Sequence, residues 1–110
     1  MRLPNSARAV VDIAKLRDYC LNESHPRGRH KARMFASALN VTAKDAENLR
    51  VHILAGVAQQ DAIAGVSDDY GARYTVDMPI EILGRKALVR TAWIVRRDED
   101  FPRLTSCFIL

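Results

Sequence analysis

A short run of histidines and cations holds the side chains best suited to chemistry. It reads His25-Pro26-Arg27-Gly28-Arg29-His30-Lys31-Ala32-Arg33 and packs four permanent cations and two histidines into nine residues. Histidine exchanges a proton near neutral pH, and lysine stabilises the charge of a pentacoordinate phosphate. We therefore interpret His30 as a candidate general acid or base and Lys31 as its charge stabiliser, in metal-independent RNA cleavage by the RNA's own 2′-hydroxyl. The alternative is that His30 only caps or packs locally.

The arginines around His30 form a candidate phosphate-binding surface. Arg27, Arg29 and Arg33 are expected to contact phosphates, and the free N–H groups of a helix that begins near Arg29 attract phosphate as well. The net charge of +4 fits such a surface. A solvated loop and helix start would show the same composition, so both interpretations stay open.

A second group of polar side chains follows the strands of the C-terminal half. Arg73, Thr75, Asp77 and Arg90 alternate with apolar residues and are expected on the exposed face of a sheet. Of these, Arg73 and Thr75 are candidate substrate-binding residues, and Arg90 is a candidate catalytic residue. A solvated sheet face is the alternative.

The hydroxyl groups near Arg90 divide between the two faces of the sheet. Thr105 and Ser106 point to opposite faces of the last strand, so only one of them can join Arg90, and Thr105 is the candidate catalytic residue. Thr91 is predicted on the core face, as a polar core residue bonded to backbone.

The cysteine and histidine content predicts neither a metal site nor a cofactor. Cys20 and Cys107 each lie in an apolar stretch and are predicted to be buried free thiols. His25 and His30 are five residues apart without acidic or thiol neighbours, which is poor spacing for a metal. The N-terminus lacks the apolar segment of a signal peptide, and no apolar run is long enough to cross a bilayer. We expect a cytoplasmic protein with no membrane partner.

Hydrophobic periodicity predicts three helices in about the first 60 residues. Asp12 is a predicted N-cap for a helix over Ile13 to Leu21, and a loop over 22–28 follows. Spacing of i, i+3, i+4 and i+7 predicts a second helix from about Arg29 to Leu39, with Ala32, Phe35, Ala36 and Leu39 on its buried face. Thr42 and Asp45 have capping-box spacing at the start of a third helix.

Period-two alternation predicts an antiparallel sheet over about residues 61–110. The strongest strand signal is the apolar series Tyr74, Val76, Met78, Ile80 and Ile82. Gly84-Arg85 is predicted as a type II′ turn, which pairs Leu83 with Lys86 and sets Val76 opposite Trp93. Weaker strands over Ala62 to Val66 and Leu104 to Leu110 complete a four-stranded meander. We therefore predict a single α+β domain over 1–110, with about three N-terminal helices packed on one face of the sheet.

The chain resembles a small bacterial family catalogued as a domain of unknown function. The resemblance is carried by Leu3-Pro4-Asn5, His25-Pro26-Arg27-Gly28-Arg29-His30-Lys31-Ala32-Arg33-Met34-Phe35, Arg90-Thr91-Ala92-Trp93-Ile94-Val95 and Pro102-Arg103-Leu104-Thr105. It covers nearly the whole chain and brings no activity with it.

More distantly, the order of helices and strands is similar to that of the barnase, EndoU, colicin and RelE class of small ribonucleases. That resemblance implies a toxin whose site groups meet around the scissile phosphate, with His30, Lys31, Arg90 and Thr105 as the matching residue types. The chain lacks the glutamate–histidine pair of the barnase kind. Expected partners are RNA and a cognate antitoxin or another neighbouring-gene protein. The alternative function is a non-catalytic module that binds nucleic acid or protein.

Overall fold

The computed structural model describes residues 1–110 and places the helices before a four-stranded antiparallel sheet, which confirms the predicted α+β fold. The helices are α1 (Ile13–Lys15), α2 (Arg29–Leu39) and α3 (Ala46–Val57), with a π-helical turn at Leu16–Cys20 and 3₁₀ turns at Ser6–Arg8 and Ala43–Asp45. The strands are β1 (Ala62–Asp68), β2 (Gly71–Ile82), β3 (Arg85–Arg96) and β4 (Pro102–Ile109). Each strand pairs with the next along the chain, so the sheet is the expected meander.

Local capping signals set the starts of the helices. The Asp12 carboxylate accepts the Ala14 N–H at 2.9 Å, and the Thr42–Asp45 capping box is formed as predicted. The first helix differs from prediction because it widens into the π turn after Lys15, and Leu21 N–H donates to Leu16 O at 2.8 Å. Such turns are rare and often occur at functional sites.

The second helix has the predicted bounds, and its apolar residues face the sheet. Ala32, Phe35 and Leu39 are buried, whereas Ala36 is only half-buried. Helix α2 packs on β3 and β4, and α3 packs on β2. Together they cover one face of the sheet, where Trp93 is 1% exposed. The Thr91 hydroxyl lies in this core and donates to Val76 O at 2.7 Å, as predicted for a polar core residue.

The central hairpin turns one residue earlier than predicted, which shifts the pairing of its strands by two residues. Ile82 pairs with Arg85, so the turn residues are Leu83 and Gly84, both with positive φ (49° and 83°). Positive φ at both positions matches a type I′ turn, whose twist suits the flanking strands. The predicted type II′ turn at Gly84-Arg85 is therefore wrong, and Tyr74 rather than Val76 stands opposite Trp93. A shift of two residues leaves every side chain on its predicted face.

The new register also changes which charges oppose one another. Asp77 stands opposite Arg90 and Glu81 opposite Lys86, whereas the predicted pairing would have set Arg73 against Arg96. Opposite charges stabilise cross-strand pairs and like charges destabilise them, which favours the observed register. No helix of the chain is both long and apolar enough to span a bilayer.

Candidate functional site

The amine of Lys31 lies half-buried between α2, the π turn and β4. Its Nζ donates to the Tyr19 hydroxyl at 3.3 Å and to Ser106 Oγ at 3.1 Å. The same Nζ lies 5.2 Å from the centroid of the Tyr19 ring and 5.5 Å from that of Phe108. No carboxylate forms an ion pair with Lys31. The ammonium group is therefore held by hydroxyls and aromatic rings, and its charge remains available to an anion.

Two residues of the loop before α2 bring the π turn against the start of the helix. A Cβ on Gly28 would lie 2.3 Å from Tyr19 O, so only glycine permits this approach. The His25 ring packs edge-on against the Tyr19 ring, with centroids 4.9 Å apart. Its Nδ1 accepts the backbone N–H groups of Arg27 and Gly28, both at 3.0 Å. His25 is therefore a structural residue that orders the basic loop.

His30 and Lys31 line one open pocket of about 210 Å³, together with Met34, Phe108 and Ile109. His30 is exposed at this pocket, whereas Lys31 is half-buried. The structure thus brings together the two helix residues that the sequence predicts for acid–base and charge-stabilising roles. Phe108 adds an aromatic face of the kind on which nucleobases stack.

The arginines next to His30 and Lys31 in the chain carry charge that no acidic side chain balances. Arg27, Arg29 and Arg33 are exposed, and none of the nine ion pairs of the chain involves residues 25–33. Four of the seventeen basic residues lie in this stretch, and no acidic residue does. The rest of the chain balances thirteen basic against thirteen acidic residues. The net charge of +4 is therefore carried by residues 25–33. His30 and Lys31 of this stretch line the pocket, which we call the α2–β4 pocket.

Arg90 lies on the exposed face of the sheet, opposite Phe108 of β4, and is already bound to an acid. Its Nε and Nη2 donate to the two carboxylate oxygens of Asp77, at 2.8 and 2.9 Å. This hydrogen-bonded pair holds the pKa of the Asp77 carboxyl below its ordinary value. Arg73 is likewise paired, with Asp68 at 2.9 Å, and Thr75 stands opposite Ala92 on the same face. The predicted open-face cluster is thus present, but its two arginines are neutralised.

Thr105 lies apart from the α2–β4 pocket. Its hydroxyl donates to Ala92 O at 3.2 Å, and it lines a groove of about 440 Å³ with Arg73 and Tyr70. No pocket contains more than two of the four predicted catalytic residues. The pairing register shifts between Ala92 and Trp93, where Thr105 is the extra residue on β4. Ser106, the alternative hydroxyl, is the one that contacts Lys31.

Sequence reasoning missed Tyr19 as a partner of Lys31. The two residues are twelve apart and lie in different elements, so no periodic pattern relates them. The adjacent cysteines are buried and free, as predicted. No group of three or more His, Cys, Asp or Glu side chains is arranged to hold a metal ion.

A family model described as a domain of unknown function (DUF6883) matches residues 2–110. The chain belongs to this family. The match confirms the first resemblance predicted from the sequence, and it includes every residue of the α2–β4 pocket. No curated protein and no solved structure matches the chain. The more distant resemblance to small ribonucleases is untested by these comparisons.

Within this DUF6883 chain, the arrangement around Lys31 has definite chemical capabilities. An exposed imidazole can exchange a proton, and a half-buried ammonium can stabilise an oxyanion. Flanking guanidinium groups can hold neighbouring phosphates. The charge and the half-buried ring of Phe108 both suit a polyanion with stacked bases.

Proposed function

We propose that the chain is a metal-independent endoribonuclease of the toxin type that acts at the α2–β4 pocket. The observation that carries the proposal is the Lys31 ammonium, which no carboxylate neutralises and which shares one pocket with exposed His30. Arg27, Arg29 and Arg33 are exposed next to His30 and Lys31 in the chain and supply contacts for the flanking phosphates. Phe108 offers a stacking surface for one base.

The proposed reaction is attack of an RNA 2′-hydroxyl on the adjacent phosphate. His30 accepts the proton of the attacking hydroxyl, and Lys31 stabilises the charge of the pentacoordinate phosphate. The Tyr19 and Ser106 hydroxyls hold the ammonium in place. The departing 5′-oxygen receives a proton from the Lys31 ammonium. The products are then a 2′,3′-cyclic phosphate and a 5′-hydroxyl.

This assignment replaces two members of the set predicted from sequence. Arg90 is bound to Asp77, and the Thr105 hydroxyl is bound to Ala92 O, so neither takes part in the proposed step. Tyr19 and Ser106 take their places as positioning residues for Lys31.

The same surface fits an acidic protein partner. Carboxylates compete with phosphates for unpaired arginines, so a cognate antitoxin or another neighbouring-gene protein with an acidic segment would cover the α2–β4 pocket. The two free thiols favour action in a reducing cytoplasm.

The second candidate function is a non-catalytic module that binds nucleic acid through the same surface. It is favoured because Arg90 and Thr105 lie outside the pocket, which leaves His30 and Lys31 as the only predicted catalytic residues there. In this case the basic surface binds RNA and leaves it intact.

The two functions are separated by incubating the purified protein with end-labelled RNA in the presence of a chelator. The proposal predicts cleavage of RNA, products ending in cyclic phosphate, and no cleavage of DNA or of RNA with a single 2′-deoxy substitution at the cut. His30→Ala is expected to lower the rate by about 10²–10⁴. His52→Ala, a change of the half-buried histidine on α3, serves as the matched control and should retain activity. If wild type bound the RNA but left it intact, the nuclease proposal would be wrong and the non-catalytic binding module would be supported.

A further inference from the structure

The open face of the sheet carries a groove of about 440 Å³ that the proposed reaction does not use. It is the largest cavity of the chain and lies where the turn between β1 and β2 meets the end of β3. Its lining includes Tyr70, Ile94, Arg96, Asp98 and Thr105, and we call it the Tyr70 groove. Sites for small ligands begin at about 300 Å³, so the groove has room for one nucleotide.

The ring of Tyr70 is exposed, but the turn that carries it is held in place. Tyr70 is 74% exposed. The Asp68 carboxylate accepts the backbone N–H groups of Tyr70 at 2.9 Å and of Gly71 at 3.2 Å. Arg97 ties the turn to the end of β3, because its side chain donates to Asp68 O at 3.1 Å and its backbone N–H donates to Tyr70 O at 3.3 Å. An exposed aromatic ring on a fixed backbone is the kind of platform on which unpaired bases stack.

Ile94 supplies an apolar floor for the groove. It stands between Arg73 of β2 and Arg103 of β4 in the pairing register, and it is only 7% exposed. Both arginines are bound to acids, Arg73 to Asp68 and Arg103 to Glu99. The floor is therefore flanked by neutralised side chains, and a flat apolar ring in the groove would cover it without burying an unpaired charge.

The groove also contains a hydrogen-bond donor and acceptors that no ion pair occupies. Arg96 and Asp98 line it, and neither belongs to any of the nine ion pairs of the chain. The Thr105 hydroxyl donates to Ala92 O at 3.2 Å, so its lone pairs remain available as acceptors. Base edges present donors as well as acceptors, whereas a phosphate diester presents acceptors only. The groove therefore suits a base, and the stretch at the start of α2, which has cations and no acid, suits phosphates.

Strand β4 connects the groove to the α2–β4 pocket. Phe108 lines that pocket and stands opposite Arg90 of the exposed face. Thr105 lies three residues earlier on the same strand, which is a distance of about 10 Å at the rise of a β-strand. A single strand of RNA that follows β4 can therefore reach both sites.

We propose that the Tyr70 groove is a second subsite for single-stranded RNA, which holds one base of the strand whose scissile phosphate lies in the α2–β4 pocket. Tyr70 stacks on the base, and Arg96, Asp98 and Thr105 bond to its edge. The groove binds and positions the RNA and takes no part in breaking the bond. The choice of RNA as ligand rests on the proposed function, whereas the contacts in the groove can be measured without cleavage.

Binding is measured with a single-stranded RNA of about eight nucleotides and the His30→Ala protein, in which cleavage is suppressed. Adding Tyr70→Ala or Arg96→Gln is expected to weaken the affinity by about fivefold or more, because each removes a contact with the base. Ile63→Ala and Arg85→Gln are the matched controls, since both residues are exposed and lie outside the groove, and they should leave the affinity unchanged. If Tyr70→Ala bound this RNA as tightly as its parent, the subsite would be overturned.

Cross-linking locates the base. The same RNA with one 5-bromouridine is irradiated on the His30→Ala protein, and the linked peptide is identified by mass. We expect cross-links to the peptide that contains Tyr70 from one position of the bromouridine, and to the peptide that contains Phe108 from a nearby position. Cross-links confined to residues 25–33 would overturn the subsite.

Cleavage by the protein with His30 intact separates the subsite from the nuclease. Tyr70→Ala should raise KM for the same RNA and leave kcat within about twofold, because the groove binds the substrate without stabilising the transition state. If wild type left RNA intact but cross-linked through Tyr70, the nuclease would be rejected and the subsite retained. If Tyr70→Ala cleaved RNA with the KM of wild type, the nuclease would be retained and the subsite overturned.

Discussion

The Thr91 hydroxyl links two strands and an indole in the buried core. It donates to Val76 O and accepts the Trp93 Nε1–H, both at 2.7 Å. Thr91→Val keeps the shape but leaves the indole N–H without a partner, which is predicted to lower the free energy of unfolding by about 1–3 kcal/mol. Trp93→Ala removes the whole ring and should cost roughly 3–5 kcal/mol.

Urea unfolding of a double-mutant cycle checks this assignment. Trp93→Phe removes the N–H, so Thr91→Val should cost less in that background than in wild type. Equal costs in the two backgrounds would show that the hydroxyl and the indole do not interact.

The Asp77–Arg90 pair makes stability depend on pH. Because Arg90 lowers the pKa of Asp77 in the folded chain, the pair stabilises the fold above the ordinary aspartate pKa of about 3.9. This stabilisation is lost as the pH falls through the lower pKa of the folded state. Asp77→Asn is predicted to lower the free energy of unfolding by roughly 0.2–1 kcal/mol at neutral pH and to match wild type in strong acid. Unfolding curves measured across this range check it, and a difference that grows in acid would contradict it.

At the scale of elements, the β2–β3 hairpin contains a local conflict between residue and backbone. Leu83 adopts a left-handed conformation with φ 49°, and its side chain is 98% exposed, so it gains nothing from packing. Asn tolerates this conformation and is preferred before glycine in type I′ turns. Leu83→Asn is therefore predicted to raise the free energy of unfolding by about 0.5–1 kcal/mol.

Gly84→Ala provides the opposite test at the adjacent turn position. Gly84 has φ 83° and open space around it, so an added methyl group meets strain but no clash. We expect its melting temperature to fall while that of Leu83→Asn rises. A Gly84→Ala variant as stable as wild type would contradict the positive φ of this position.

At the scale of the whole molecule, the position of the charge matters more than its total. Replacing Arg27, Arg29 and Arg33 by Gln is predicted to weaken binding to single-stranded RNA at low salt. The slope of log affinity against log salt should flatten by about two units, since each lost phosphate contact contributes about 0.7. A control variant replaces Lys15, Lys44 and Lys86 by Gln and so has the same net charge as the arginine variant. It should bind like wild type, because these exposed lysines lie outside residues 25–33. If both variants bound RNA equally weakly, net charge alone would explain the loss of affinity and the position of the arginines would not matter.

Much of the fold follows from patterns within single segments of the chain. The spacing of Phe35 and Leu39 predicts the bounds of α2, and the Thr42–Asp45 capping box predicts the start of the next helix. Period-two alternation predicts the sheet and its buried face, which a two-residue error in register leaves unchanged. The cations of residues 25–33 are also visible in the sequence, because charges that are adjacent in the chain stay adjacent when it folds.

The assembled site was decided by tertiary structure. Lys31 meets Tyr19 and Ser106 only because the π turn and β4 pack against the start of α2, and single hydroxyls leave no periodic signal of such contacts. The same packing places Cys20 and Cys107 in one buried core cluster. The strand register places Arg90 opposite Asp77, and the ion pair between them makes Arg90 unavailable to the predicted phosphate site. Local sequence thus determines the elements and where charge collects, whereas contacts between distant segments determine which of those groups can act together.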